Sequence, residues 1–246
     1  MSVLLPVLPP LPQELIDSMI DEAQYDFLTL LSLMNASPCC TRARIYLYRT
    51  IDLSQRRKAT RFFHLCIMRD EIKSYVQSVY IETWSTPDYI EFRHILEGLT
   101  KVQDLTISGE YECIPPELRG VFASYNLSTL TLEEMVFDYA DLQAFVRSYP
   151  NLRRLMVFDV NVEENVAPNA GAIGQLSLES LSVSQTDFLT EASKSTGHGV
   201  PFILADIRRL FLMHTMKNLN ELQRVLHAVH QPLEELYMYE PLVLSK

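Results

Sequence analysis

One pattern constrains this chain more than any other: an apolar triplet spaced L-x-x-L-x-L that returns at a nearly constant interval. The stretch "NLRRLMVFDV" carries it as Leu152, Leu155 and Val157. The same beat recurs as Val76/Val79/Ile81, Val102/Leu105/Ile107, Leu127/Leu130/Leu132, Leu178/Leu181/Val183, Ile207/Leu210/Leu212 and Leu233/Leu236/Met238, with a weaker copy at Tyr48/Ile51/Leu53. The central residues stand at 51, 79, 105, 130, 155, 181, 210 and 236, so the steps are 28, 26, 25, 25, 26, 29 and 26. One such triplet arises in any Leu-rich strand or helix. Eight at this spacing describe units that cannot bury their apolar face alone and must stack on one another.

The period of 25 to 29 residues is that of a leucine-rich repeat. The expected fold is therefore an α/β solenoid: short parallel strands, one per beat, with central apolar residues pointing inward and an outer layer of helices and loops. Helical spacing is clear in three connections, 89–99, 139–147 and 219–229. Two others, the stretches beginning at Asn161 and Thr190, are rich in Pro, Gly and small residues and read as loops. The Asn or Cys ladder usual after such strands is missing, since those places hold Trp84, Glu110, Glu134, Val160, Gln185 and Thr215. The array is thus expected to be irregular.

In each strand the residues between the inward beats face the recognition side of a solenoid. The early strands offer polar and acidic residues there, and the later ones large side chains. Tyr80, Arg154, Met156, Phe158, Arg209, Phe211, Met213, Tyr237 and Tyr239 are the candidate residues for binding a target. A register slip of one residue would turn them inward and make them core.

Composition narrows the partners. The chain has 246 residues, 48% hydrophobic, with a formal charge of −10. Its basic runs, Arg56-Arg57-Lys58 and Arg208-Arg209, are too short for general binding to nucleic-acid phosphates. No run of about 18 apolar residues is present to span a membrane, and the opening "MSVLLPVLPP" lacks a basic start and a cleavage site. Cys39, Cys40, Cys66 and Cys113 show no CxxC spacing and suit a reducing compartment. An intracellular protein, cytoplasmic or nuclear, is expected.

Before the repeats, "LPPLPQELIDSMID", "LTLLSLM" and "RARIYLYRTIDL" resemble the opening, second helix and close of an F-box, and the arrangement resembles the F-box plus leucine-rich-repeat adaptors of fungi. The domains expected are a helical F-box over 8–50 and a solenoid over 51–246. The resemblance implies that Leu11, Pro12, Leu15, Ile16, Met19, Ile20, Leu30, Leu31 and Met34 are shared with the Skp linker protein, anchors at i, i+3, i+4 and i+7 laid into a groove. Through that linker the chain would join a cullin-based ubiquitin ligase and present a protein substrate to it. The chain departs from the family at Phe27, where Pro is common, at Asn35, where Val is common, and at Cys39, where Trp is usual. These departures favour the alternative, a stand-alone scaffold or ligand-binding protein whose helical segment only caps the array.

Nothing in the sequence nominates an enzyme. No G-x-S-x-G, P-loop or G-x-G-x-x-G occurs, and Cys40 and Cys66 lack an evident base. His227 and His230 have a spacing that can hold a metal, but no third ligand accompanies them. No cofactor, no metal, no membrane and no nucleic acid is expected.

Overall fold

The computed structural model describes residues 12–36, 41–82, 93–109, 113–163, 176–184, 202–203, 206–213, 223, 226–227, 229 and 231–239. The chain divides into two compact units, Met1–Thr50 and Ile51–Lys246.

The described residues of the first unit form three helices, α1 (Gln13–Glu22), α2 (Phe27–Ala36) and α3 (Thr41–Arg49). Pro12 precedes α1, where its missing N–H costs nothing. The start of α2 is capped by Asp26. One of its carboxylate oxygens accepts the backbone N–H groups of Leu28 and Thr29 (both 3.1 Å), and the other accepts the Thr29 hydroxyl (2.7 Å). These bonds hold the Asp26 carboxyl below its ordinary range, with the Thr29 hydroxyl contributing most. Ile20, Leu30 and Ala43, one from each helix, form the core, and Ile16, Ala23, Leu33, Met34, Tyr46 and Leu47 pack around it.

The second unit is α/β, built on one parallel sheet of eight strands. They are β1 (Thr50–Asp52), β2 (Ser78–Glu82), β3 (Asp104–Ser108), β4 (Thr129–Glu133), β6 (Arg154–Phe158), β9 (Ser180–Ser184), β11 (Arg209–Met213) and β12 (Glu235–Tyr239), neighbours in that order. Sequential strands that run parallel need a crossover each time. The described crossovers carry α4 (Arg56–Met68) with a 3-10 segment (Asp70–Tyr75), α5 (Arg93–Glu97), α6 (Pro116–Ala123) and α7 (Tyr139–Arg147). Two short outer pairs, β5 (Val136–Asp138) with β7 (Asn161–Glu163) and β8 (Leu176–Ser177) with β10 (Phe202–Ile203), are parallel as well. This arrangement is compatible with an α/β solenoid.

Pairing from β2 to β12 is in step with the apolar beat. Val79, Leu105, Leu130, Leu155, Leu181, Leu210 and Leu236 form one line across the sheet, and Ile81, Ile107, Leu132, Val157, Val183, Leu212 and Met238 the next. From β2 to β11 every member of both lines is buried. On β12 Leu236 and Met238 are 46% and 37% exposed. The third apolar position, Val76 through Ile207, is buried too, just before each strand. There the backbone extends the ladder, as the N–H of Gln103 donates to Gln77, Ser128 to Gln103, Arg153 to Ser128, Glu179 to Arg153, Arg208 to Glu179 and Glu234 to Arg208, at 2.7–3.0 Å.

The helix expected over 139–147 is α7, and of the one expected over 89–99 the described part is α5. Most of 219–229 and all of the stretch from Thr190 to Pro201 lie outside the described residues. Helices α4 and α6 occupy connections with no clear apolar stripe in the sequence reading. In α6, Pro116 at the first turn and buried Leu118, Val121 and Phe122 explain the helix.

Candidate functional site

Opposite the buried lines, three rows of strand positions cross the other face of the sheet, one strand spacing of roughly 4.8 Å apart along each row. The first row runs Ser78, Asp104, Thr129, Arg154, Ser180, Arg209 and Glu235. Next come Tyr80, Thr106, Thr131, Met156, Ser182, Phe211 and Tyr237, then Glu82, Ser108, Glu133, Phe158, Ser184, Met213 and Tyr239. Eight of the nine candidate target-binding residues therefore share this face, and the side chain of Tyr239 lies outside the described residues.

The face is divided by charge. Strands β2 to β4 contribute Glu82, Asp104 and Glu133 and no cation to the three rows. Burial pushes the Glu133 carboxyl up, and the neighbouring Glu134 carboxylate adds to that. Tyr80 is pushed up in the same way, burial outweighing its hydrogen bond with Ser108. Strands β6 and β11 contribute Arg154 and Arg209 and four large apolar side chains: Met156, Phe158, Phe211 and Met213. Between them, β9 presents only Ser180, Ser182 and Ser184, the last 8% exposed between Phe158 and Met213. The rings of Phe211 and Tyr237 lie 6.3 Å apart at 39°.

The arginines fall into two sets. Arg153 and Arg208, one residue before the strands, pair with Glu179 (3.5 Å) and Glu234 (3.4 Å). Arg154 and Arg209 make no ion pair among the described residues.

On the helical unit, the residues expected to meet a linker protein divide by burial. Ile20 and Leu30 are 0% and 2% exposed and belong to the unit's own core, where they pack with Ala43. Ile16 and Met34 pack against that core, and Leu31 is half-buried. Pro12 is exposed, as are Leu15 and Met19 at 53% and 56%, and Leu11 lies outside the described residues. Phe27 and Leu28, at 62% and 71%, add exposed apolar surface that the sequence reading missed. The signal was weak because α2 is apolar almost all round, so spacing distinguishes no face there.

His227 lies within hydrogen-bond distance of the Gln223 carbonyl (2.7 Å), and His230 lies outside the described residues. Among the described residues no three His, Cys, Asp or Glu side chains gather where they could hold a metal, and no helix is long and apolar enough to cross a membrane. Compared with family models, curated proteins and solved structures, the chain matches none.

Proposed function

We propose that this chain is a substrate-recognition adaptor of a Skp–cullin ubiquitin ligase, with residues 8–50 as its F-box and the repeat sheet as its leucine-rich target-binding array. In this reading the chain performs no chemistry. It raises the effective concentration of a target's lysines near the ligase's thioester, with the Skp linker and a cullin as partners in the cytoplasm or nucleus.

The observation that carries the reading is the exposure of Leu15, Met19, Phe27 and Leu28 on so small a helical unit. Solvent-facing apolar groups of this number mark an interface. Leu15 and Met19 are four apart on α1 and so share one helix face. The unit is followed by a sheet whose outer face offers arginine and aromatic side chains, the types that dominate binding hot spots.

Calorimetry of the full chain with the Skp linker protein tests this. Binding by the wild type and its loss in Leu15→Asp/Met19→Asp, with unchanged circular dichroism, is the expected result. A folded wild type that does not bind the linker would leave the stand-alone scaffold as the better account.

A further inference from the structure

We infer that the strip of sheet face over β9, walled by β6 and β11, binds an extended acidic peptide segment with an Asp or Glu side chain between Arg154 and Arg209. This deepens the adaptor reading by naming the class of target, and rests on it.

Arg154 and Arg209 occupy one row on either side of Ser180, two strand spacings apart or roughly 10 Å. Arg154 is exposed and Arg209 half-buried, and neither has an ion-pair partner among the described residues although their sequence neighbours Arg153 and Arg208 do. Two uncommitted guanidinium groups on a chain of formal charge −10 form a local cationic site in an acidic protein. Its complement is an anion, since a guanidinium fork donates a pair of parallel hydrogen bonds to a carboxylate.

The neighbours limit which anion. Glu235 stands directly beside Arg209 across the β11–β12 pair. It repels a doubly charged phosphate more than a single carboxylate, so the site favours Asp or Glu. On the other side, Asp104 and Glu133 repel an acidic segment from β3 and β4 and so keep it over the later strands.

The rest of the strip sets the pattern around the acid. Each later row lies two residues further along the strands, near 6.6 Å, which is also the i to i+2 repeat of an extended chain. The next row places Met156 and Phe211 on either side of Ser182, and the one after places Phe158 and Met213 on either side of Ser184. A segment lying along β9 with its acid at the arginine row therefore sets large apolar side chains two and four positions away. Ser180 and Ser182, both half-buried, leave room for it, and the walls, which close over Ser184, supply apolar contact.

A display library of random 12-residue peptides, panned against the full-length chain, tests the inference. Enriched peptides are expected to carry Asp or Glu two residues from Leu, Ile, Met or Phe. Their affinity, read by fluorescence polarisation, should fall about tenfold or more in Arg154→Glu/Arg209→Glu and recover in part when the peptide's acid is changed to Lys. Ser182→Trp, which fills the strip without changing charge, should also abolish binding. Enrichment without an acidic position, or affinity untouched by either variant, would overturn the proposal. Linker binding measured on the same preparations separates the two readings, since it depends on Leu15 and Met19 and not on the sheet.

Discussion

Arg42 on α3 holds Asp21 on α1 in a two-pronged grip, Nε to Oδ1 and Nη2 to Oδ2, both at 2.6 Å. The Tyr46 hydroxyl donates to the same carboxylate at 2.9 Å. The Arg42 hydrogen bonds, then that of Tyr46, hold the Asp21 carboxyl below its ordinary value of 3.8. Folding lowers this pKa, so the contribution is complete above pH 3.8 and disappears as the pH falls through the lower folded value. Asp21→Asn should speed hydrogen exchange of the α3 amides at neutral pH, and acidification should do the same to the wild type but add little in the variant.

Two buried tyrosines should respond oppositely to loss of their hydroxyls. Tyr125 donates to the Leu96 carbonyl at 2.8 Å, and burial pushes its ionisation up, so it stays a neutral donor. Tyr149 is fully buried, in edge contact with Phe145 at 5.3 Å, and among the described residues its hydroxyl makes no well-formed hydrogen bond, the Ser148 hydroxyl being its polar neighbour. The Ser148 hydroxyl beside it donates to the Phe145 carbonyl instead (2.6 Å). Denaturant unfolding should show Tyr125→Phe losing about 1 kcal/mol and Tyr149→Phe gaining a similar amount, about 1 kcal/mol.

The apolar line through the sheet is uneven in value. Leu181 is fully buried in the middle, between Leu155 and Leu210, whereas Leu236 at the same position of β12 is 46% exposed. Leu181→Ala should cost about 2–5 kcal/mol, mostly lost burial and a residual cavity. Leu236→Ala should cost less than about 1 kcal/mol, as surface substitutions do. Equal losses in urea titrations would mean that β12 is covered in solution.

Much of this architecture was legible because a strand's side chains alternate with period two and each strand adds the same apolar triplet. The triplet marks β2, β3, β4, β6, β9, β11 and β12 and the set from Tyr80 to Tyr237 on their other face, whereas the short strands β5, β7, β8 and β10 lie outside the beat, β7 opening a stretch that reads as a loop. The helical unit was less legible. Ile16, Met19 and Ile20 look alike in sequence, yet Ile20 is buried in the core, Met19 faces solvent and Ile16 lies between, because packing against Leu30 and Ala43 decides it and those partners are distant in the chain. The charge split of the face needed the register, since only pairing shows that Arg154 and Arg209 flank the same serine.

The two thiols that the structure describes should differ in reactivity. Cys66 on α4 is buried, and burial pushes its thiol up to about 11. Cys113 is exposed, its Sγ donating weakly to the Val136 carbonyl at 3.2 Å. Alkylation followed by peptide mass spectrometry at pH 8 should label Cys113 rapidly and Cys66 only on unfolding, since the thiolate is the reacting form.

Beyond β4 and β6 the chain turns sharply into β5 and β7, and in both places a non-glycine residue takes the left-handed conformation, Glu134 and Asp159 each with φ of 51°. The turns are held by the ladder, the Glu134 N–H donating to Phe158 at 2.9 Å and the Asp159 N–H to Ser184 at 3.2 Å. Glutamate pays about 1 kcal/mol for this conformation, while glycine adopts it freely. Glu134→Gly should therefore stabilise the protein by about 0.5–1 kcal/mol, a rise in Tm of about 1–4 °C for a chain of this size. It also removes the carboxylate that helps raise Glu133, so the Glu133 titration should move down, though not fully, because burial is the larger cause. Glu134→Ala distinguishes the two effects: it removes the same charge but keeps the Cβ, and should lower the Glu133 titration without the gain in Tm.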